Sequence, residues 1–205
     1  MNKINFEDFL KITKLYEMKT VSRATHNKYF CEKSHSQISR YETNAEHIYS
    51  CLKLADYFLT NEEEFKGLDR LKVYELLMYH DDIEIEVGDV ALSDKKGRVE
   101  KEQNEIYAIP HLMKKYPIEL ALKFKHLDKE FRNNFSKEAQ FAHAIDKLDP
   151  TIQSLNHKEK FGSETGFTKE NMIKWQRKTF EFSPTLLLYF DTLLNYIEEL
   201  GYYED

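Results

Sequence analysis

The chain has 205 residues, 41% of them hydrophobic and 32% charged, a globular balance that suits one domain with a sizeable core. Six Gly and four Pro are sparse punctuation for an all-β fold. The formal net charge of −6 argues against binding a nucleic acid polymer, whose affinity comes mostly from phosphate neutralisation.

Residues 5–18 place Phe6, Phe9, Leu10, Ile12 and Leu15 in a helical rhythm and predict a first helix. Glu7 and Asp8 leave residues 1–14 unlike a signal peptide. Residues 20–43 are polar and irregular and read as a loop or a broken helix. Thr43 or Asn44 then caps a helix over about 45–59. A second helical run covers about 68–84. The alternation Ile83-Glu84-Ile85-Glu86-Val87 has the period of a strand, but no partner strand lies near, so a helix end running into a loop is preferred.

Residues 93–97 read as a loop, followed by a helix over 100–115 that stops before Pro117. A short helix over 118–126 follows, then one over 136–148 that ends before Pro150. Residues 151–168 look like an exposed connection. The last helix or helix pair spans 169–200, broken at Ser183-Pro184. No run approaches the ~20 apolar residues that span a bilayer. Cys31 and Cys51 form no Cys-x-x-Cys pair and read as reduced thiols, which fits a cytoplasmic protein. The expected fold class is all-α.

Three apolar helical faces run on into polar residues. Val73, Leu76 and Leu77 share a face with His80, Asp81 and Glu84. His47 shares one with Cys51, Leu54, Ala55 and Phe58. Phe135, Ala139 and Ala142 line up with Asp146 and Asp149. A core-facing carboxylate costs several kcal/mol unless it is paired or bound to a cation. A divalent ion held by two His and two Asp would neutralise the carboxylates and keep positions open for water and a phosphate oxygen. A single His on an apolar face is more often a satisfied core residue, so the weight rests on the convergence of three helices.

The local motifs carry a resemblance. Arg40-Tyr41-Glu42-Thr43-Asn44-Ala45-Glu46-His47 resembles the Arg-x-Glu-x-x-x-Glu-His segment of HD-superfamily nucleotidases. His80-Asp81-Asp82-Ile83-Glu84, followed by Gly88-Asp89, is similar to that family's His-Asp-x-x-Glu-x-x-x-Gly-Asp segment. Ala144-Ile145-Asp146-Lys147-Leu148 is similar to its closing Ala-x-Asp-Lys-Leu segment. The nearest subfamily is the 5′-deoxynucleotidases, and the resemblance covers roughly residues 19–150.

The resemblance implies an HD-domain helical bundle over about 19–150; residues 151–205 match no segment of it, and the helical pattern over about 169–200 reads as a C-terminal extension of one domain (1–205). It implies a metal-dependent phosphohydrolase holding one divalent ion (Mn²⁺, Co²⁺ or Mg²⁺) on His47, His80, Asp81 and Asp146. Glu84 would assist proton transfer on the attacking water or the leaving alkoxide. Arg23, in Lys19-Thr20-Val21-Ser22-Arg23, would clamp phosphate, Asp89 would lie near the sugar 3′-hydroxyl, and Lys95 would add positive charge. Arg23 and Lys95 can also be read as solvated surface charges, and Asp89 as a turn cap after Gly88.

The sequence departs from the subfamily after Arg23, where Ala24 and Thr25 replace a bulky residue and residues 24–39 form an insertion. His26, His35, His111, His126, His143 and His157 match no further ligand position and read as surface or core histidines. Asp149 is either a partner for a ligating His or a stabiliser of the helix end. The expected partner is a small phosphorylated nucleotide, with no membrane. Subfamily members form homodimers, and the apolar run over 185–197 is broad enough for a core plus one contact face. Two other readings stay open: hydrolysis of another nucleotide (triphosphate, alarmone or cyclic), and a non-catalytic regulatory module.

Overall fold

Most of the longer helices begin at a side chain suited to capping. In a computed structural model describing residues 6–23, 29–31, 36–38, 41–91, 94–157 and 166–203, α1 (Phe6–Leu15) runs into a 3₁₀ turn at Tyr16–Lys19. α2 (Asn44–Asn61) starts at a capping box: Thr43 Oγ1 accepts from the Glu46 N–H while the Glu46 carboxylate accepts from the Thr43 N–H. α3 (Arg70–Tyr79) is capped by Asp69, and a four-residue helix, α4 (Glu84–Val87), follows it. Gly88 ends α4 at φ +73°, a left-handed backbone that a Cβ would disfavour, and its N–H donates to the Glu84 carbonyl.

α5 (Lys95–Lys115) is capped by Asp94, and α6 (Ile118–Asn133) ends at Asn134 in the left-handed region. α7 (Lys137–His157) precedes α8 (Lys169–Phe180), capped by Thr168, and α9 (Pro184–Glu199), capped by Ser183 with Pro at the first helical position. Among the described residues the fold is all-α apart from one short hairpin. α7 lies at the centre and touches α2, α3, α6, α8 and α9. Phe58, Leu76, Leu77, Phe124, Phe141, Ile145, Leu148 and Phe190 fill one buried cluster between them. Rings of Phe180 and Phe190 stack with centroids 4.3 Å apart, joining α8 to α9. On α9 the face of Leu186, Phe190, Leu194 and Ile197 is buried, whereas Leu188 is 67% exposed.

Several boundaries differ from the sequence reading. Residues 20–43 contain an antiparallel hairpin, β1 (Tyr29–Cys31) against β2 (Ser36–Ile38), and a bridge from Ser22 to Thr43. Strands of three residues are too short to show a period. α5 begins at Lys95, inside the segment read as a loop, because Asp94 accepts from the Gly97 N–H at 2.8 Å and so supplies a cap. α6 continues seven residues past His126, carried by buried Leu127 and Phe131.

α7 passes through Pro150 to His157, although an interior proline forfeits a backbone hydrogen bond. Thr151 is buried and Ile152 and Leu155 pack on the core, which offsets that loss. α3 stops at Tyr79, so His80 to Ile83 are not helical; they form a turn closed by i to i+3 bonds, Asp82 N to Tyr79 O and Glu84 N to Asp81 O. Phe135, placed by sequence on the α7 face, precedes that helix and is 87% exposed.

Candidate metal centre

Three segments bring their polar ends together. α2 supplies His47, wholly buried on the face of Cys51, Ala55 and Phe58, with Leu54 half-buried beside them. The α3–α4 turn supplies His80, Asp81 and, at the start of α4, Glu84, all buried. α7 supplies Asp146 and Asp149 below buried Ala139 and Ala142. His47 Nε2 lies 3.2 Å from Asp146 Oδ1 and 3.9 Å from Asp81 Oδ2. His80 Nε2 lies 3.6 Å from the same Asp146 oxygen and 3.3 Å from Asp81 Oδ1. The donor atoms of His47, His80 and Asp146 all lie within 4.8 Å of one another.

The outer ring nitrogens decide the chemistry of the inner ones. His47 Nδ1 is 2.8 Å from Asp149 Oδ2, and His80 Nδ1 is 2.7 Å from the Leu77 carbonyl. Both partners only accept, so each Nδ1 carries hydrogen. In the neutral rings both Nε2 lone pairs then face carboxylate oxygens that also carry lone pairs. Such a cluster needs positive charge at its centre, either protons or a cation. His80 Nε2 has no hydrogen-bond partner among the described residues. Two imidazole nitrogens and two carboxylates, buried and convergent, are a donor set suited to a hard or borderline divalent ion.

The charges shift accordingly. Burial alone would lower both rings, but hydrogen bonds to Asp146 and Asp149 outweigh it for His47, the charges of Asp81 and Asp146 outweigh it for His80, and both are raised, His80 strongly. Burial would raise Asp81 and Asp146, but His80 and Arg23 hold Asp81 well below the carboxylate range, and Lys147, His47 and His80 do the same for Asp146. Glu84 goes the other way. Burial, then repulsion from Asp81 and Asp89, raises it to about 8 against the pull of Lys101. Burial raises Asp82 to about 7 although the Tyr116 hydroxyl donates to it at 2.9 Å. Cys51, whose sulfur is 3.6 Å from His47 Nε2, is pushed well up by burial and by Asp149, so it stays a thiol.

Arg23 reaches the site because its segment is bridged to the residues that open α2: Arg23 N donates to Glu42 O and Asn44 N to Val21 O. Its Nη1 lies 3.2 Å from Asp81 Oδ2, and its buried Nε has no partner among the described residues. Burial works against its charge, but Asp81, Asp89 and Asp146 raise its pKa further. Arg23 is therefore no solvated surface charge. Asp89 lies 3.2 Å from Lys101 Nζ, and its Oδ1 accepts from the Val90 N–H at 2.8 Å. The Lys95 side chain lies outside the described residues. Of the remaining histidines, His111 and His126 are exposed, and His143 stacks on Phe131 and contacts its carbonyl. The side chains of His26, His35 and His157 lie outside the described residues.

Sequence reasoning missed Lys101 and Asn44. Lys101 on α5 pairs with Glu84 and Asp89 and lies 3.7 Å from Glu105. Glu105 in turn pairs with Arg132, which holds Asp128. A lysine in a polar helical stretch gives no sign of this in sequence. The sequence offers Asn44 only as an alternative cap; Thr43 is the cap, and the Asn44 amide donates to Glu84.

Comparisons with known proteins agree on the fold. A solved structure described as a predicted metal-dependent phosphohydrolase from Magnetospirillum magnetotacticum MS-1 superimposes with a TM-score of 0.77 at 23% identity, covering 98% of each chain. An HD-domain phosphohydrolase from Listeria innocua gives 0.58 at 18% identity, over 92% of this chain and 84% of that one. Among curated proteins, 5′-deoxynucleotidase HDDC2 of Xenopus laevis is 28% identical over 123 residues, 60% of this chain and 59% of that protein. Its Bos taurus counterpart is 27% identical over 122 residues, 60% of this chain and 57% of that protein. The chain thus spans under two thirds of the curated relatives it matches. Among the described residues no helix is long and apolar enough to cross a membrane. The family model for the HD domain matches residues 17–186, and the chain belongs to that family.

Proposed function

We propose that this protein is a divalent-metal-dependent phosphohydrolase that removes phosphate from deoxyribonucleoside 5′-monophosphates. The observation that carries the reading is the close approach of His47, His80, Asp81 and Asp146, buried side chains from three segments whose nitrogens and carboxylate oxygens lie 3.2, 3.3, 3.6 and 3.9 Å apart. The names of the relatives, phosphohydrolase and 5′-deoxynucleotidase, support the reaction class and the substrate. A divalent cation held by these four side chains supplies Lewis-acid chemistry to a phosphoryl group.

The chain's own residues do the rest. Asp149 and the Leu77 carbonyl fix the two imidazole rings with Nε2 inward. Arg23 binds phosphate oxygens with its guanidinium, whose Nε–H the described protein groups leave unused. Glu84, buried and held by Lys101 and Asn44, exchanges a proton with the attacking water or the leaving alkoxide. Asp89 accepts from a sugar hydroxyl at the edge of the site.

The test is phosphate release across a panel of nucleotides with Mn²⁺, Co²⁺ or Mg²⁺ added. The expected result is release from deoxynucleoside 5′-monophosphates that Asp81→Ala abolishes. Turnover of triphosphates, cyclic nucleotides or pyrophosphorylated nucleotides alone would overturn the substrate assignment. An Asp81→Ala protein at the parent rate would overturn the site.

A further inference from the structure

Glu84 is held from two sides by groups on different helices. Oε1 accepts from the Lys101 ammonium on α5, and Oε2 accepts from the Asn44 amide nitrogen on α2. Asn44 is wholly buried. Its backbone N–H is already used by the Val21 carbonyl at 3.0 Å, and the helix cap is its neighbour Thr43. Its Oδ1 has no hydrogen-bond partner among the described residues. An amide out of water with one end unpaired is a net cost to folding. The contact that offsets the cost is Glu84.

We propose that Asn44 is a positioning residue for Glu84, the second jaw of a clamp whose first jaw is Lys101. The proposal rests on the reading of Glu84 as the proton-transfer group. The two jaws are not equivalent. An ammonium only donates, and Lys101 is shared with Asp89 and Glu105. Asn44 holds Oε2 from α2 while Lys101 holds Oε1 from α5, so the two jaws fix both oxygens and with them the plane of the carboxyl group.

A cycle of four proteins tests this: parent, Asn44→Ala, Glu84→Gln and the double variant. Each is assayed for phosphate release from deoxyadenosine 5′-monophosphate at saturating Mn²⁺, with melting temperature and bound Mn²⁺ measured alongside. Asn44→Ala is expected to lower kcat tenfold or more with KM and Mn²⁺ content near the parent values, and the loss is expected to vanish in the Glu84→Gln background. Asn44→Leu, near in volume and apolar, replaces the alanine variant if that one fails to fold. A kcat within twofold of the parent, or an equal loss in both backgrounds as a structural role would give, overturns the clamp. Glu84→Gln at the parent rate overturns the reading of Glu84 and the clamp with it, so the two failures look different. Crystal structures of the parent and Asn44→Leu compare the carboxyl group without any substrate: a changed Glu84 rotamer is expected, an unmoved one overturns the proposal, and this arm decides alone if the nucleotide is not turned over.

Discussion

Loading the centre with a divalent cation near neutral pH is expected to expel protons. His47 and His80 are both raised, burial being outweighed by Asp146 and Asp81, so the metal-free protein keeps protons on the nitrogens that a cation would use to a higher pH than a free imidazole does. Up to two protons leave, one from each ring. Each proton released makes the affinity rise about tenfold per pH unit, about 1.4 kcal/mol, until the folded pKa is passed. Titration calorimetry with Mn²⁺ in buffers of different ionisation heat, from pH 6 to 8, counts them. Binding with no proton release and an affinity flat across that range would refute the reasoning.

The stability of the metal-free protein follows with a definite sign. The two raised histidines contribute stability that is fully present below their unfolded pKa of ~6.5 and is lost as pH rises through their folded values. Glu84 at about 8 and Asp82 at about 7 also keep protons that the unfolded chain has shed, so they act in the same direction. Asp81 and Asp146 are depressed, and their contribution is already complete above ~4. The metal-free protein's unfolding free energy, followed through its melting temperature, is therefore expected to fall between pH 6 and 8, by about 1.4 kcal/mol per pH unit for each extra proton held. For a chain of this size that is a few degrees.

Three substitutions probe separate parts. Asp149→Ala removes the partner of His47 Nδ1 and is expected to weaken Mn²⁺ binding by roughly 10- to 100-fold, measured by calorimetry; an unchanged Kd would show that Asp149 only stabilises α7. Arg23→Ala is expected to lower kcat/KM for phosphate esters tenfold or more, mostly through KM, in a phosphate-release assay; parental kinetics would remove Arg23 from the substrate site. Phe190→Ala opens a cavity against Phe180 and is expected to cost about 3–5 kcal/mol in denaturant unfolding; a loss under about 1 kcal/mol would mean that α8 and α9 are not part of the cooperative core.

The residues that were legible in sequence are those on periodic faces. His47 and Asp146 continue apolar stripes on α2 and α7, and their burial follows from the helical period alone. His80, Asp81 and Glu84 were placed correctly as core residues for a partly mistaken reason: the helix breaks at Tyr79, and a tight turn delivers them inward. Pro150 misled because burial of Thr151, Ile152 and Leu155 outweighs a local backbone preference, which no window of a few residues reveals. Lys101 and Asn44 were illegible because their roles are set by contacts across 17 and 40 positions of chain.

The most direct measurement is the Mn²⁺ content of the purified parent and of Asp146→Ala, each dialysed against the same metal and then against metal-free buffer. Near one ion per parent chain and none on the variant is expected, with both proteins folded. An empty parent, or a variant that keeps its ion, would contradict a centre shared by α2, the α3–α4 turn and α7.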